Sequence, residues 1–592
     1  MELVDDHNGA KSGRSHILRI FSFIRPYWRT SIFAVFMLIA SVLADLAIPT
    51  LIQRIIDQGI VPKDLTIILT TAALMIGVAF FEAAVSIGNT FLAVRVAQSF
   101  AADVRSAVFH KIQKFSFGNL DRFQTGQLIV RLTSDVNAVQ MMVMMGLRMF
   151  IRAPIMVVGS ITLMFVLNAE LAKIVLMLLP ITLVLAGIFV VKAQPLFLEV
   201  QRRLDKLNMV LQENLAGVRV VKAFVRMDRE AEHFDKANTD LTNQSMKVLT
   251  IFAVLFPSMQ IIVNVSILGV VWYGGMQVVA GRFTVGEILA FTNYLLTSIM
   301  PLLFLAMMAS QLSAANASAQ RIYEVLDSEP QVQDRPDAKQ LPEVRGRVVF
   351  DGVCFSYGED CGEPVLQDIN LVAEPGQTVA VLGATGSGKS TLIDLIPRFY
   401  DVTRGKLTID GVDVRDVTLE SLRANIGIAL QEAILFSGTI RDNIKYGKPD
   451  ATEEEVMAAA KAAEAHDFIM NLPKGYDSDV GERGVGLSGG QKQRISIARA
   501  LLIQPKILIL DDSTSSVDVE TEAKIQEALD KIMEDKTSFI IAQRISTVLR
   551  ADKIVVLDKG KITSEGTHEE LMKSSPIYRE IYDSQLGGGV RL

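Results

Sequence analysis

Two cysteines in 592 residues leave no material for a disulfide framework, and the spacing of Cys354 and Cys361 fits no zinc-ligand pattern. Both read as plain thiols in a reducing compartment. Excess positive charge is missing too. The formal net charge is −6, and without a basic stripe to follow a phosphate backbone, nucleic acid is not an expected partner. The first 15 residues are polar and of mixed charge, without the apolar run and small-residue cleavage site of a secretory signal. Histidine is scarce as well. The six are His7, His16, His110, His233, His466 and His568.

Apolar surface is what the chain has in abundance: half of its residues are hydrophobic, and the excess lies before about residue 325. A chain this long exceeds a single core, so at least two domains are expected. Crossing the hydrocarbon layer takes about 20 apolar residues per helix. Six stretches are long enough: 31–53, 66–93, 138–166, 171–192, 247–274 and 285–313. Lys11, Arg14, Arg19, Arg25 and Arg29 precede the first, and 94–137 and 193–246 are rich in Lys and Arg, whereas 55–65, 167–170 and 275–284 hold few. The positive-inside rule therefore places both termini in the cytosol of a multi-pass protein of the inner or plasma membrane. The two basic segments are too long for turns and carry helical periodicity, so they read as arms running out of the bilayer. Pro301, inside the last span, is expected to bend it. The expected organisation is a membrane domain over 1–326, a Pro- and Asp-rich linker over 327–346, a soluble domain over 347–585 and a flexible tail over 586–592.

In the soluble half, "TVAVLG" (378–383) reads as a buried strand, and "GATGSGKST" (383–391) follows it before a helical pattern. This is phosphate-loop spacing. Gly383, Thr385, Gly386, Ser387, Gly388 and Thr391 belong to a backbone cradle whose N–H groups wrap a phosphate; Lys389 reaches the outer phosphates and Ser390 ligates Mg²⁺. "ILILDD" (507–512) is a second buried strand ending on Asp511, a metal-facing carboxylate.

"LSGGQKQR" (487–494) ahead of a helix, with Gln431 after the strand "IGIAL", resembles the nucleotide-binding domain of ABC transporters, and six spans with two arms before it resemble the half-size exporters of that superfamily. The resemblance implies an α-helical transmembrane domain of six long helices followed by an α/β P-loop ATPase, with ATP and Mg²⁺ as ligands. It implies that Tyr357 in "VCFSY" stacks on adenine, that Gln431 senses Mg²⁺ and the arms, and that Ser488, Gly489, Gly490 and Gln491 meet the γ-phosphate of ATP held by an opposite subunit. Glu482 resembles the loop that meets the arms, and Asp518 the residue communicating between the two sites.

Two positions depart from the family. The residue after the metal-binding Asp is normally a Glu that polarises the attacking water, and here it is Asp512; the later His that braces the γ-phosphate is here Gln543. Shortening Glu to Asp withdraws the carboxylate by roughly 1.5 Å, and general-base help of about 10²- to 10⁴-fold depends on reach to the water. Gln543 donates a hydrogen bond but cannot be cationic. The expectation is a site that binds ATP and hydrolyses it slowly, while its "LSGGQ" completes a competent site in a partner half-transporter. The chain thus resembles the degenerate-site subunit of heterodimeric bacterial ABC exporters.

Cargo is less legible. Polar residues at membrane depth include Asp45, Glu82, Arg148, Arg152, Gln260, Asn264 and Asn293. Asp45, Glu82 and Asn293 are candidates for a substrate cavity, although Asp45 and Glu82 can equally bridge two helices; Arg148 and Arg152 read as structural. Small amphipathic or drug-like compounds are the first expectation, with a lipid flippase and a mainly regulatory ATP-sensing subunit as alternatives.

Overall fold

The computed structural model describes residues 16–358, 363–481, 484, 486–511, 527, 533, 535–541 and 545–586. Cys361 and the tail beyond Leu586 lie outside them. The chain divides into two compact units, residues 1–113 with 125–328, and residues 114–124 with 329–592.

The first unit is helical. Short α1 (His16–Ile20) precedes α2 (Trp28–Arg54) and α3 (Leu65–Gln113). At about 1.5 Å per residue, the 49 residues of α3 run to roughly 70 Å, against a hydrocarbon layer of about 30 Å. Length of this order lets one helix serve as both span and arm. α4 (Phe117–Arg122), in the second unit, precedes α5 (Thr125–Val130), α6 (Val136–Met145) and α7 (Arg152–Leu167). α8 (Ala169–Ala216), the short α9 (Val218–Ala223), α10 (Met227–Val279) and α11 (Val285–Asp327) complete the unit. α11 runs unbroken through Pro301.

Among the described residues, four helical stretches are long and apolar enough to cross a membrane: Leu18–Ile60, Leu65–Gln113, Thr125–Leu167 and Gln260–Val279. The other two expected spans fall on α8 and α11, which are helical throughout 171–192 and 285–313. Large apolar side chains such as Phe80, Ile87 and Phe91 of α3 face outward, as a lipid-facing surface requires. Three π-helical turns, Ile55–Ile60, Arg131–Asp135 and Gly146–Phe150, interrupt this unit.

Strands dominate the second unit: β1 (Val348–Phe355), β2 (Leu366–Ala373), β3 (Thr378–Leu382), β4 (Arg404–Ile409), β5 (Val412–Asp413), β6 (Ile426–Ala429), β7 (Gly438–Thr439), β8 (Asp479–Val480), β9 (Ile507–Asp511), β10 (Thr537–Ile541), β11 (Lys553–Asp558) and β12 (Lys561–Gly566). A six-stranded sheet runs β12-β11-β3-β10-β9-β6, all parallel except β12. A four-stranded sheet, β2-β1-β4-β5, is antiparallel. All five residues of β9 are buried, the pattern of a parallel strand covered on both faces. β3, β9 and β6 are parallel and end at the same, carboxyl edge of the sheet, where open α/β sheets bind ligands.

Candidate functional site

β3 delivers the chain into the loop 383–388, and α12 (Lys389–Asp394) begins directly after it. The glycines here are geometric requirements. Gly388 sits at φ +101°, a conformation L side chains rarely adopt, and a Cβ on it would meet Leu366 Cδ2 at 2.9 Å; a Cβ on Gly383 would collide with the Leu557 carbonyl. Among the described residues, the buried Ser387 hydroxyl has no hydrogen-bond partner. A cradle closed to side chains, holding an orphaned hydroxyl, fits a phosphate group.

Lys389 Nζ donates to the carbonyls of Gly383 and Ala384, both at 2.9 Å, so the ammonium lies over the loop. Thr385, Gly386, Gly388, Lys389, Ser390 and Thr391 line one cleft of about 280 Å³ together with Gln431, which follows β6, and Asp511, the last residue of β9. The motif residues, scattered over more than 120 positions of sequence, thus converge. Ser390, Gln431 and Asp511 supply a hydroxyl, an amide and a buried carboxylate, an oxygen set suited to Mg²⁺.

Tyr357 is not on the lining of that cleft. Its hydroxyl shares a hydrogen bond of 2.9 Å with Thr391 Oγ1, and burial pushes its pKa up. Its ring is partly exposed and meets Phe355 and Tyr400 edge-on, with centroids 4.9 and 5.3 Å away.

Ser488 caps the helix Gly489–Leu502: its hydroxyl accepts from the Gln491 backbone at 3.3 Å, and Gln491 Oε1 accepts from the Ser488 backbone at 2.9 Å. Ser488 and Gly489 are exposed and Gly490 is buried. None of the four residues from Ser488 to Gln491 lines the chain's own cleft. Glu482, Asp512, Asp518 and Gln543 lie outside the described residues.

Sequence reasoning passed over Asp394. The last residue of α12 is half-buried, and burial, followed by the charges of Asp511 and Asp121, pushes its carboxyl up to about 7. No motif marks it, because the effect comes from residues far away in sequence.

Of the polar residues expected at membrane depth, Asp45, Arg152 and Glu82 share one neighbourhood, while Asn293 and Gln260 bond within their own helices. Asp45 of α2 is ion-paired with Arg152 of α7, Oδ2 to Nη2, at 2.5 Å. Glu82 of α3 accepts from the Ser41 hydroxyl at 3.0 Å. Asn293 donates to the Leu289 carbonyl of its own helix at 2.9 Å, and Gln260 to Asn264 at 3.1 Å.

Comparison with known proteins agrees with this architecture. Residues 31–302 match the family model of the ABC transporter transmembrane region, and 366–515 match the family model described as ABC transporter. A Bacillus subtilis protein described as the uncharacterized ABC transporter ATP-binding protein YfiB is 40% identical over 96% of this chain and 98% of its own length. An ATP-dependent lipid A-core flippase of Desulfotalea psychrophila is 38% identical over 96% of this chain and 99% of its own. The putative multidrug export ATP-binding/permease protein YgaD of Bacillus subtilis is 37% identical over the same shares. A solved bacterial Atm1-family ABC exporter with ATP bound superposes with a TM-score of 0.79 at 28% identity, covering 95% of this chain and 99% of that one. With a membrane-spanning region and an ATP-binding domain fused in one polypeptide, this chain belongs to the ABC transporter family as a half-size exporter.

Proposed function

We propose that this exporter works as one half of a heterodimer, moving amphipathic, drug-like compounds out across the cytoplasmic membrane with both termini in the cytosol. One observation carries the reading: Lys389, Ser390, Gln431 and Asp511 line one cleft with the phosphate loop, while Asp512 and Gln543 replace the two groups that would activate the hydrolytic water. Its own site then holds ATP without hydrolysing it quickly. Ser488 to Gln491 stand away from that site and exposed at Ser488 and Gly489, free to close over nucleotide held by a partner. Tyr357 serves the adenine once the ring turns toward the cleft, and Asp518 links the two sites.

The test is Mg²⁺-dependent ATPase activity of the purified chain, alone and with a candidate partner that carries Glu and His at the two positions. Alone, the chain should be nearly inactive; with the partner, activity should appear and should need Ser488 of this chain. Asp512→Glu with Gln543→His should raise its own activity by roughly 10²- to 10⁴-fold, the span of general-base help. Brisk hydrolysis by the unmodified chain alone would overturn the reading.

The substrate cavity is assigned to the region of Asp45, Glu82 and Asn293. Because Asp45 is already paired with Arg152, Glu82, which accepts from the Ser41 hydroxyl and faces the charge of Asp45, is the acid that favours a cationic compound. A second reading, lipid flipping, is favoured by the relative named a lipid A-core flippase. Proteoliposomes loaded in parallel with a cationic dye and a fluorescent lipid separate the two.

A further inference from the structure

Gln543 belongs to a short stretch whose two ends are fixed by different parts of the fold. Strand β10 ends at Ile541, which is paired in register with Asp511 of β9 and lines the phosphate cleft. Only Ala542, Gln543 and Arg544 separate it from Ile545, the first residue of the short helix Ile545–Val548. Ile545 and Val548 are buried in a core that also holds Tyr578 of the helix Pro576–Leu586. Near its end that later helix reaches back: Gln585 Oε1 accepts from the Ile545 backbone N–H at 2.7 Å. The first N–H groups of a helix have no partner inside it, and Gln585, 40 positions further along the chain, supplies the acceptor for one of them. The helix that carries Gln585 is itself tied down at its start. The Tyr578 hydroxyl and His568 Nδ1 share a hydrogen bond of 2.6 Å, and the Arg579 guanidinium donates to the Met572 carbonyl at 2.6 Å.

We propose that Gln585 is a positioning residue for Gln543: by holding Ile545, it sets how far the Gln543 amide reaches toward the γ-phosphate. Consecutive Cα atoms are about 3.8 Å apart, so two steps keep Gln543 within about 7.6 Å of each anchor. A leash this short passes a displacement of either anchor to the residue between them. Ile541 has little freedom to move, because β3 and β9 pair with β10 on both sides. Ile545 is the adjustable end. A backbone N–H buried without a partner is costly, so loss of the Gln585 oxygen drives Ile545 toward another acceptor and takes Gln543 out of register. Hydrogen bonds weaken steeply with poor distance and angle, so a small misplacement is felt at the phosphate. The inference rests on the reading of Gln543 as the residue that meets the γ-phosphate.

The experiment measures binding to the full-length chain in detergent with Mg²⁺, by displacing a fluorescent ADP analogue with ADP or with the non-hydrolysable β,γ-imido analogue of ATP. The ratio of the two affinities reports the γ-phosphate. Gln543→Ala should lower the preference for the triphosphate by roughly 10- to 100-fold, the worth of a hydrogen bond to a charged group. Gln585→Ala should lower it by about 2- to 10-fold, the worth of an ordinary hydrogen bond, with ADP affinity unchanged. Gln585→Glu, which keeps a side-chain oxygen as acceptor, should retain the preference. Adding Gln585→Ala to Gln543→Ala should cost nothing more, since both act on one contact. An unchanged preference in Gln543→Ala overturns the γ-phosphate reading and the inference with it. Where Gln543→Ala does lose the preference, the role of Gln585 alone is overturned if Gln585→Ala keeps it, weakens both nucleotides equally or adds in full to Gln543→Ala, or if Gln585→Glu loses as much as Gln585→Ala.

Discussion

Asp135 and Arg321, 186 positions apart, are joined by a two-pronged ion pair: Nε donates to Oδ2 at 2.9 Å and Nη2 to Oδ1 at 2.5 Å. The Ser318 hydroxyl adds a third bond to Oδ1 at 2.8 Å. The carboxylate sits in the π-helical turn before α6, its side chain 3% exposed, whereas Arg321 on α11 is 46% exposed. The two partners are therefore unequal. Arg321→Ala strands a buried charge, which costs about 3–5 kcal/mol for a fully buried pair and less here because solvent reaches the arginine side. Asp135→Asn leaves a guanidinium that water can hydrate. Arg321→Ala should lower the apparent melting temperature in detergent more than Asp135→Asn, and the double variant should recover part of the loss.

The phosphate cleft gives a second prediction. In this structure Lys389 is bonded to carbonyls of its own loop, so phosphate must draw the ammonium away from Gly383 and Ala384. Hydrogen bonds to charged groups contribute about 1.5–3 kcal/mol. Lys389→Ala should weaken ATP binding by roughly 10- to 100-fold in a fluorescent-nucleotide assay while leaving the melting temperature of the nucleotide-free protein nearly unchanged, because the lost bonds are to partly exposed carbonyls.

Much of this site was legible because its information is local. The run 378–391 has the alternation of strand, glycine-rich loop and helix within 14 residues, and β9 announced itself as five apolar or terminal acidic positions in a row. Apolar length alone points to six spans, and four helical stretches among the described residues meet that requirement. Long-range pairings left no such trace. Phe117 and Asp121 look like ordinary arm residues until Phe399 and Tyr400 are folded against them. Tyr357 was read as an adenine platform, but its hydroxyl turns to Thr391, which no spacing rule foretells. Asp45 reads from sequence as either a cavity residue or a helix bridge and Arg152 as structural; being 107 positions apart, they reveal their ion pair only in three dimensions.

Asp394 makes stability depend on pH. Its carboxyl is raised from 3.8 to about 7, first by burial, then by Asp511 and Asp121 facing it. A folded value above the unfolded one means that the native state binds the proton more tightly. Stability is therefore greatest at low pH as far as this group is concerned, falls as pH rises between the two values, and carries the full penalty once the folded group is ionised. Asp394→Asn removes that penalty. The gain in apparent melting temperature should be clear near about pH 8 and smaller near about pH 5, with the wild-type chain as reference.

The Asp45–Arg152 pair separates support from selection within the membrane. Arg152→Leu leaves Asp45 without its cation and in the field of Glu82, the more damaging change; Asp45→Asn leaves an arginine long enough to carry its charge toward the interface. Contacting residues typically couple by about 0.5–3 kcal/mol, so Asp45→Asn with Arg152→Leu should be more stable than Arg152→Leu alone. Such a pair should not choose the cargo: the charge-neutral double variant should keep its preference between a cationic and a neutral dye. Glu82→Gln should lose cationic transport selectively, because Ser41 contributes a hydrogen bond but no charge. Equal loss of both dyes in Glu82→Gln would mean that Glu82 too is structural.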